Sequence, residues 1–155
     1  MRSTQNIIHV DGGISRCLNI ALAETSIETL KAQNYHWNVT GPMFGPLHTL
    51  FQEIYEDHFR AQDDLAERLR ALGEFIDGRY SEYLKVSAVK ECIGEIPALK
   101  MVRTLADDQR LLSDNLNKLA QTADDLRDVV THDLAIERAA VHNKFEWMLR
   151  AHLQD

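Results

Sequence analysis

A chain of 155 residues with 45% hydrophobic and 26% charged side chains suits one globular domain with one core, and is too apolar for a disordered chain. Its 17 Lys and Arg against 24 Asp and Glu leave a net charge of −7. That excludes a surface built throughout to grip nucleic acid and suits one that draws cations.

Cys17 and Cys92 have neither metal-site spacing nor the density of a disulfide scaffold. No basic-then-apolar leader opens the sequence and no apolar run nears membrane-spanning length, so a reducing cytoplasmic setting is expected, with both thiols free.

Apolar residues recur at helical spacing nearly everywhere, and strand-like alternation is almost absent. A first helix is expected from about Ile14 to Val39, carried by Ile14, Leu18, Leu22, Ile27, Leu30 and Trp37. Gly41-Pro42 and Gly45-Pro46 stop it, and Pro46 suits the opening residue of a second helix. That helix carries Leu47, Leu50, Phe51, Ile54, Leu65, Leu69 and Leu72 before Gly73 ends it.

From Glu74 to Pro97 the pattern weakens. About 24 residues is long for a bare loop, so a crossover with a short helix near Ser87–Cys92 is expected. A third helix follows from about Ala98 to Thr122, and a fourth from about Thr131 through Leu134, Phe145, Met148 and Leu149, with Asp124–Asp128 as the break. The fold class is therefore all-α, a single domain over 1–155: a four-helix bundle with a long crossover between its second and third helices.

An intrachain di-iron bundle needs Glu-x-x-His pairs on inward helix faces. The residues three before His36, His48, His58, His132, His142 and His152 are Gln33, Gly45, Tyr55, Val129, Ala139 and Leu149, none of them acidic. The second helix nevertheless pairs His48 with Gln52 and Asp63 with Glu67, each four apart and on one face. Imidazole with carboxylate suits ferrous iron, zinc or manganese. His36 stands just before the Gly-Pro turn, within reach of His48. His48 and Asp63 are fifteen residues apart, about 22 Å along a continuous helix, far beyond metal–ligand bonds of about 2 Å. If all four bind one centre, they come from two chains in antiparallel two-fold pairing.

The stretch His36-Trp37-Asn38-Val39-x-Gly41, then Phe44, Leu47-His48, Phe51 and Asp63-Asp64-Leu65-Ala66-Glu67-Arg68, resembles the signature of the Dps family of miniferritins. The closing Phe145-Glu146-Trp147-Met148-Leu149-Arg150-Ala151 is similar to the end of that family's fourth helix. The resemblance spans nearly the whole chain and implies a ferritin-like bundle assembled as a homododecameric shell. It implies ferroxidase activity: Fe(II) oxidised at inter-subunit sites, preferably by hydrogen peroxide, and Fe(III) stored as mineral inside. His36 and His48 then carry over as ligands from one subunit, Asp63 and Glu67 as ligands from its partner. The family usually has an acidic residue four after the second histidine; Gln52 stands there instead. That puts in question a second iron position or the oxidation rate, and leaves open a structural shell with weakened oxidation.

Trp37, beside His36, is a candidate electron donor when peroxide outruns iron, or simply an anchor for the loop. Asp124, Asp125, Asp128 and Asp133 suit the cap of the fourth helix; by the resemblance, Asp128 and Asp133 are candidates for lining three-fold pores. Asp64 and Arg68 read as solvated or as interface ion pairs. His58, His132, His142 and His152 show no partner spacing and are expected at the surface, His58 above all, between Asp57 and Arg60. Many members of the family also coat DNA through lysine-rich tails. Here only Arg2 and Arg16 precede Lys31, set against Asp11, Glu24 and Glu28, and Leu153-Gln154-Asp155 adds no basic extension, which argues against DNA as a partner.

Overall fold

The computed structural model describes residues 12–154; Arg2, Asp11 and Asp155 lie outside the described residues. Within them the chain forms α1 (Gly12–Asn38), α2 (Phe44–Ala71), α3 (Tyr80–Val86), α4 (Ala98–Asp125) and α5 (Val129–Ala151). This is the expected all-α bundle, with its short helix in the crossover. Among the described residues no helix is long and apolar enough to cross a membrane. Cys17 and Cys92 are half-buried free thiols.

The α1–α2 turn closes with the Phe44 N–H on the Gly41 carbonyl at 3.0 Å. Gly41 has φ +97, a left-handed conformation that a Cβ would oppose. α2 starts two residues before Pro46. Proline is tolerated there because the first-turn N–H groups have no carbonyl to bind within the helix. At the far end Gly73, with φ +93, donates to Arg70 O at 3.0 Å, while Glu74 N–H reaches Leu69 O at 3.0 Å. These two bonds make a Schellman cap, so α2 is one unbroken helix between two glycine-governed ends.

The crossover helix lies at Tyr80–Val86, not at Ser87–Cys92. Tyr83 turns inward against α1, and Ser87, extended with a ψ of 132, ends the helix before a bend at Ala88 and Val89. Ser87 Oγ then donates to Val89 O at 2.9 Å and Val89 is buried, so its apolar side chain reaches the core from a bend outside any helix. α5 starts at Val129, two residues earlier than expected, because Asp128 caps it: its carboxylate accepts from Thr131 N–H at 3.0 Å.

α1 pairs with α2 and α4 with α5; α1 also packs on α4 and is covered by α3. The core is divided. One apolar cluster holds Ile14, Leu18, Leu22, Leu65, Leu69, Leu112 and Leu116; the other holds Tyr35, Leu47, Phe51, Ile54, Val102, Leu105, Phe145 and Leu149. Between them lies a polar layer with one residue from each long helix: Glu28, His58, Gln109 and His142, all fully buried.

This overturns the surface reading of His58 and His142, both of which are 0% exposed. His132 and His152 are half-buried, His132 through Nδ1–H on Ala120 O at 2.9 Å. The opposite correction applies to α1, where Leu30 is 40% and Trp37 63% exposed although both continue the apolar series. In exchange α1 buries Glu24, Glu28 and Lys31, since neighbours cover it on several sides.

Candidate metal centre

The short turn folds the end of α1 back on the start of α2, and His36 and His48 meet there. His36 Nδ1 lies 2.7 Å from His48 O, and His48 Nδ1 lies 2.8 Å from His36 O. A carbonyl oxygen can only accept, so both Nδ1 atoms carry the proton. In the neutral rings each Nε2 therefore keeps its lone pair, the arrangement of a metal-ligating histidine held by its second nitrogen. The rings stack with centroids 3.7 Å apart and planes 16° apart. Tyr55 meets the edge of His36 at 5.3 Å, and Phe44 stacks on His48 at 4.9 Å. His36 is buried and His48 half-buried, so the clasp is fixed before any ligand arrives.

Asp63 and Glu67 are exposed on the last third of α2. Asp63 lines an open groove with Phe59, Arg60, Asp64 and Ala66. The unbroken helix holds His48 and Asp63 about 22 Å apart along its axis. Within the chain the structure therefore brings His36 and His48 together and keeps Asp63 and Glu67 away from them. Among the described residues no group of three or more His, Cys, Asp or Glu is placed to hold a metal ion.

Gln52, half-buried one turn after His48, donates from Nε2 to Glu56 Oε1 at 2.7 Å. Glu56 did not stand out in the sequence, although its i, i+4 spacing from Gln52 was legible there. Asp128 is bound on the inner side: Arg68 Nη2 donates to its two oxygens at 2.8 and 2.9 Å, and Arg68 Nε to Thr131 Oγ1 at 2.8 Å. Partial burial favours the neutral acid, but bonds from Thr131 and Arg68 outweigh it and hold the Asp128 carboxyl below its ordinary range. Arg68 is thus an internal clamp rather than a solvated neighbour of Glu67. Asp133 is exposed.

The polar layer is a second constellation that sequence spacing did not show. Arg138 donates to both oxygens of Asp57 at 3.2 and 2.7 Å, and Asp57 Oδ2 accepts from His58 Nδ1–H at 3.0 Å. His58 Nε2 accepts from Gln109 Nε2 at 3.0 Å, the same amide nitrogen donates to Glu28 Oε1 at 3.1 Å, and Gln109 Oε1 accepts from His142 Nδ1–H at 2.7 Å. Burial pushes both imidazoles below the ordinary histidine range, His142 well below it, with the nearby Arg138 charge adding to the effect. Burial likewise raises Glu28 well above the ordinary carboxylate range, and Asp108 adds to it against Lys31.

A family model described as the ferritin-like domain matches residues 16–155. General stress protein 20U of Bacillus subtilis is 35% identical over 141 residues, covering 89% of this chain and 95% of that protein. DNA protection during starvation protein 2 of Bacillus anthracis is 34% identical over 136 residues, covering 88% and 93%. Among solved structures, Dps from Staphylococcus aureus is similar with a TM-score of 0.90 at 32% identity, over 94% of this chain and 97% of that one. A Dps protein from Vibrio cholerae O1, described as a member of a broad superfamily of ferritin-like diiron-carboxylate proteins, has a TM-score of 0.87 at 30% identity, over 91% and 89%.

Proposed function

Because the chain belongs to the Dps miniferritins of the ferritin-like family, we propose that it oxidises ferrous iron at sites shared between two subunits and stores the ferric product inside a twelve-subunit shell. The observation that carries this reading is the division of donors along α2. Two histidines with fixed tautomers and available Nε2 atoms stand at one end, two exposed carboxylates at the other, on a helix that cannot bend them together.

An antiparallel two-fold pairing along α2 sets the His36/His48 end of each chain against the Asp63/Glu67 end of its mate, and makes two equal sites. Exposed Phe59, near the midpoint of that stripe, supplies an apolar contact close to the axis. Iron is the substrate. Imidazole nitrogen and carboxylate oxygen suit Fe(II), and the anionic donors favour the higher charge of Fe(III). Each ferrous ion gives up one electron, and two of them, with two protons taken from solvent, reduce one hydrogen peroxide, whose O–O bond breaks to yield two waters.

Trp37, exposed beside His36, serves as an electron donor when peroxide is in excess. Asp133, exposed on the first part of α5, lines the pore through which iron enters. Asp128 contributes less field there, since Arg68 neutralises it. The net charge of −7 favours cations over DNA as partners.

Complementation between chains tests the shared site. His36→Ala/His48→Ala and Asp63→Ala/Glu67→Ala shells should each lose rapid peroxide-driven oxidation. Mixed shells should regain part of it, because a dimer of unlike chains has one site with both intact halves and one with both lesions. Mixed shells of verified mass and composition that stay inactive would refute the inter-subunit site.

A further inference from the structure

Gln52 stands where the resemblance leads to a carboxylate, one turn beyond His48. An amide oxygen is a weaker donor to a ferrous ion and brings no charge. The missing charge is one turn further along. Gln52 Nε2 donates to Glu56 Oε1 at 2.7 Å. An ionised carboxylate only accepts, so this bond settles which end of the amide is which and leaves Gln52 Oε1 as its acceptor atom. Donation to a carboxylate also draws electron density towards Oε1, since hydrogen bonds in series polarise one another. His48, Gln52 and Glu56 follow at successive i, i+4 steps, and Asp63 and Glu67 continue the same face of α2.

We propose that Gln52 and Glu56 together replace a carboxylate ligand: Gln52 Oε1 faces the iron, and Glu56 is a positioning residue that orients and polarises it. The proposal rests on the shared-site reading above. It explains how a site can keep its charge balance with an amide in that place, the anion being moved one hydrogen bond outward rather than lost. Partners of this outer kind typically change metal affinity by about 10- to 100-fold.

Anaerobic calorimetric titration of the assembled protein with Fe(II) measures affinity and stoichiometry without turnover. Glu56→Gln should weaken the looser class of iron position by about tenfold. In a Gln52→Glu background the same Glu56→Gln change should cost less than about twofold, because the charge then sits on the ligand itself. This non-additivity is the signature, since a role for Glu56 in helix stability alone would give equal losses in both backgrounds. Equal losses overturn the proposal. Unchanged affinity in Glu56→Gln, while His48→Ala abolishes binding, removes Glu56 and leaves the shared site standing. If His48→Ala and Asp63→Ala also leave the titration unchanged, the shared-site reading falls and this proposal falls with it.

Discussion

At His142 the nitrogen that would take up a proton, Nε2, is buried without a hydrogen-bond partner among the described residues. Its other nitrogen already donates to Gln109, and His58, Arg138 and Asp57 are the charged or titratable groups near it. Charging His142 there puts a second cation near Arg138 in a site that water cannot solvate. Both imidazoles are thus held below the unfolded value of about 6.5. As pH falls through about 6.5 the unfolded chain gains protons that the folded chain refuses, so stability falls, by up to about 1.4 kcal/mol per pH unit for each group. Glu28 acts with the opposite sign: its raised carboxyl favours the folded state as pH falls towards about 4.5. The histidine contribution is therefore read by difference. His142→Gln should flatten the decline in melting temperature between pH 7 and 5 relative to the parent, at fixed protein concentration. Parallel curves would show that His142 titrates freely. The sequence hid this role because His58 lies between the charged Asp57 and Arg60, while Gln109 and His142, which meet it in the core, are 51 and 84 positions away on other helices. His36 and His48 were legible because only a short turn separates them.

Helix ends set the geometry of the candidate centre more than helix interiors do. The Schellman cap at Gly73 keeps α2 helical through Arg70 and so fixes where Asp63 and Glu67 stand relative to His48. Gly73→Ala should destabilise the protein by about 1 kcal/mol, because a Cβ resists φ +93, as denaturant unfolding can measure. At the start of α5, Asp128→Ala removes the cap and strands the Arg68 fork; a loss of about 2 kcal/mol in the same assay is expected. No change for Asp128→Ala would mean that solvent replaces the clamp. Apolar periodicity located α2 and α4 well, since each has one clear inward stripe. It failed in the crossover, where α3 lies earlier than expected and Val89 is buried from a bend beyond it, and at the exposed Leu30 and Trp37 of α1. A residue pattern reports how apolar a face is, not whether another segment will cover it.

In the whole molecule the bundle scaffold separates two features: exposed Asp63 and Glu67 on α2, which under the proposed function complete a site on a second chain, and an inward polar layer completed within one chain. The layer has a consequence for the number of ways four helices can pack. Leucine-rich layers tolerate slippage, since one apolar contact substitutes for another. Here a helix slid by one turn, about 5.4 Å, would bury two imidazoles, an amide and a carboxylate without their partners. Competing registers are thus raised in free energy while the native one is not, and the layer acts as a key that admits one alignment. Changing Glu28, His58, Gln109 and His142 together to Leu leaves Asp57 with Arg138 and Lys31 with Asp108. That variant should match or exceed the parent in resistance to denaturant, since apolar packing often equals a buried polar network. Its amide resonances should nevertheless broaden and multiply, reporting several alignments of similar energy. One sharp set of resonances would show that the two apolar clusters fix the alignment unaided.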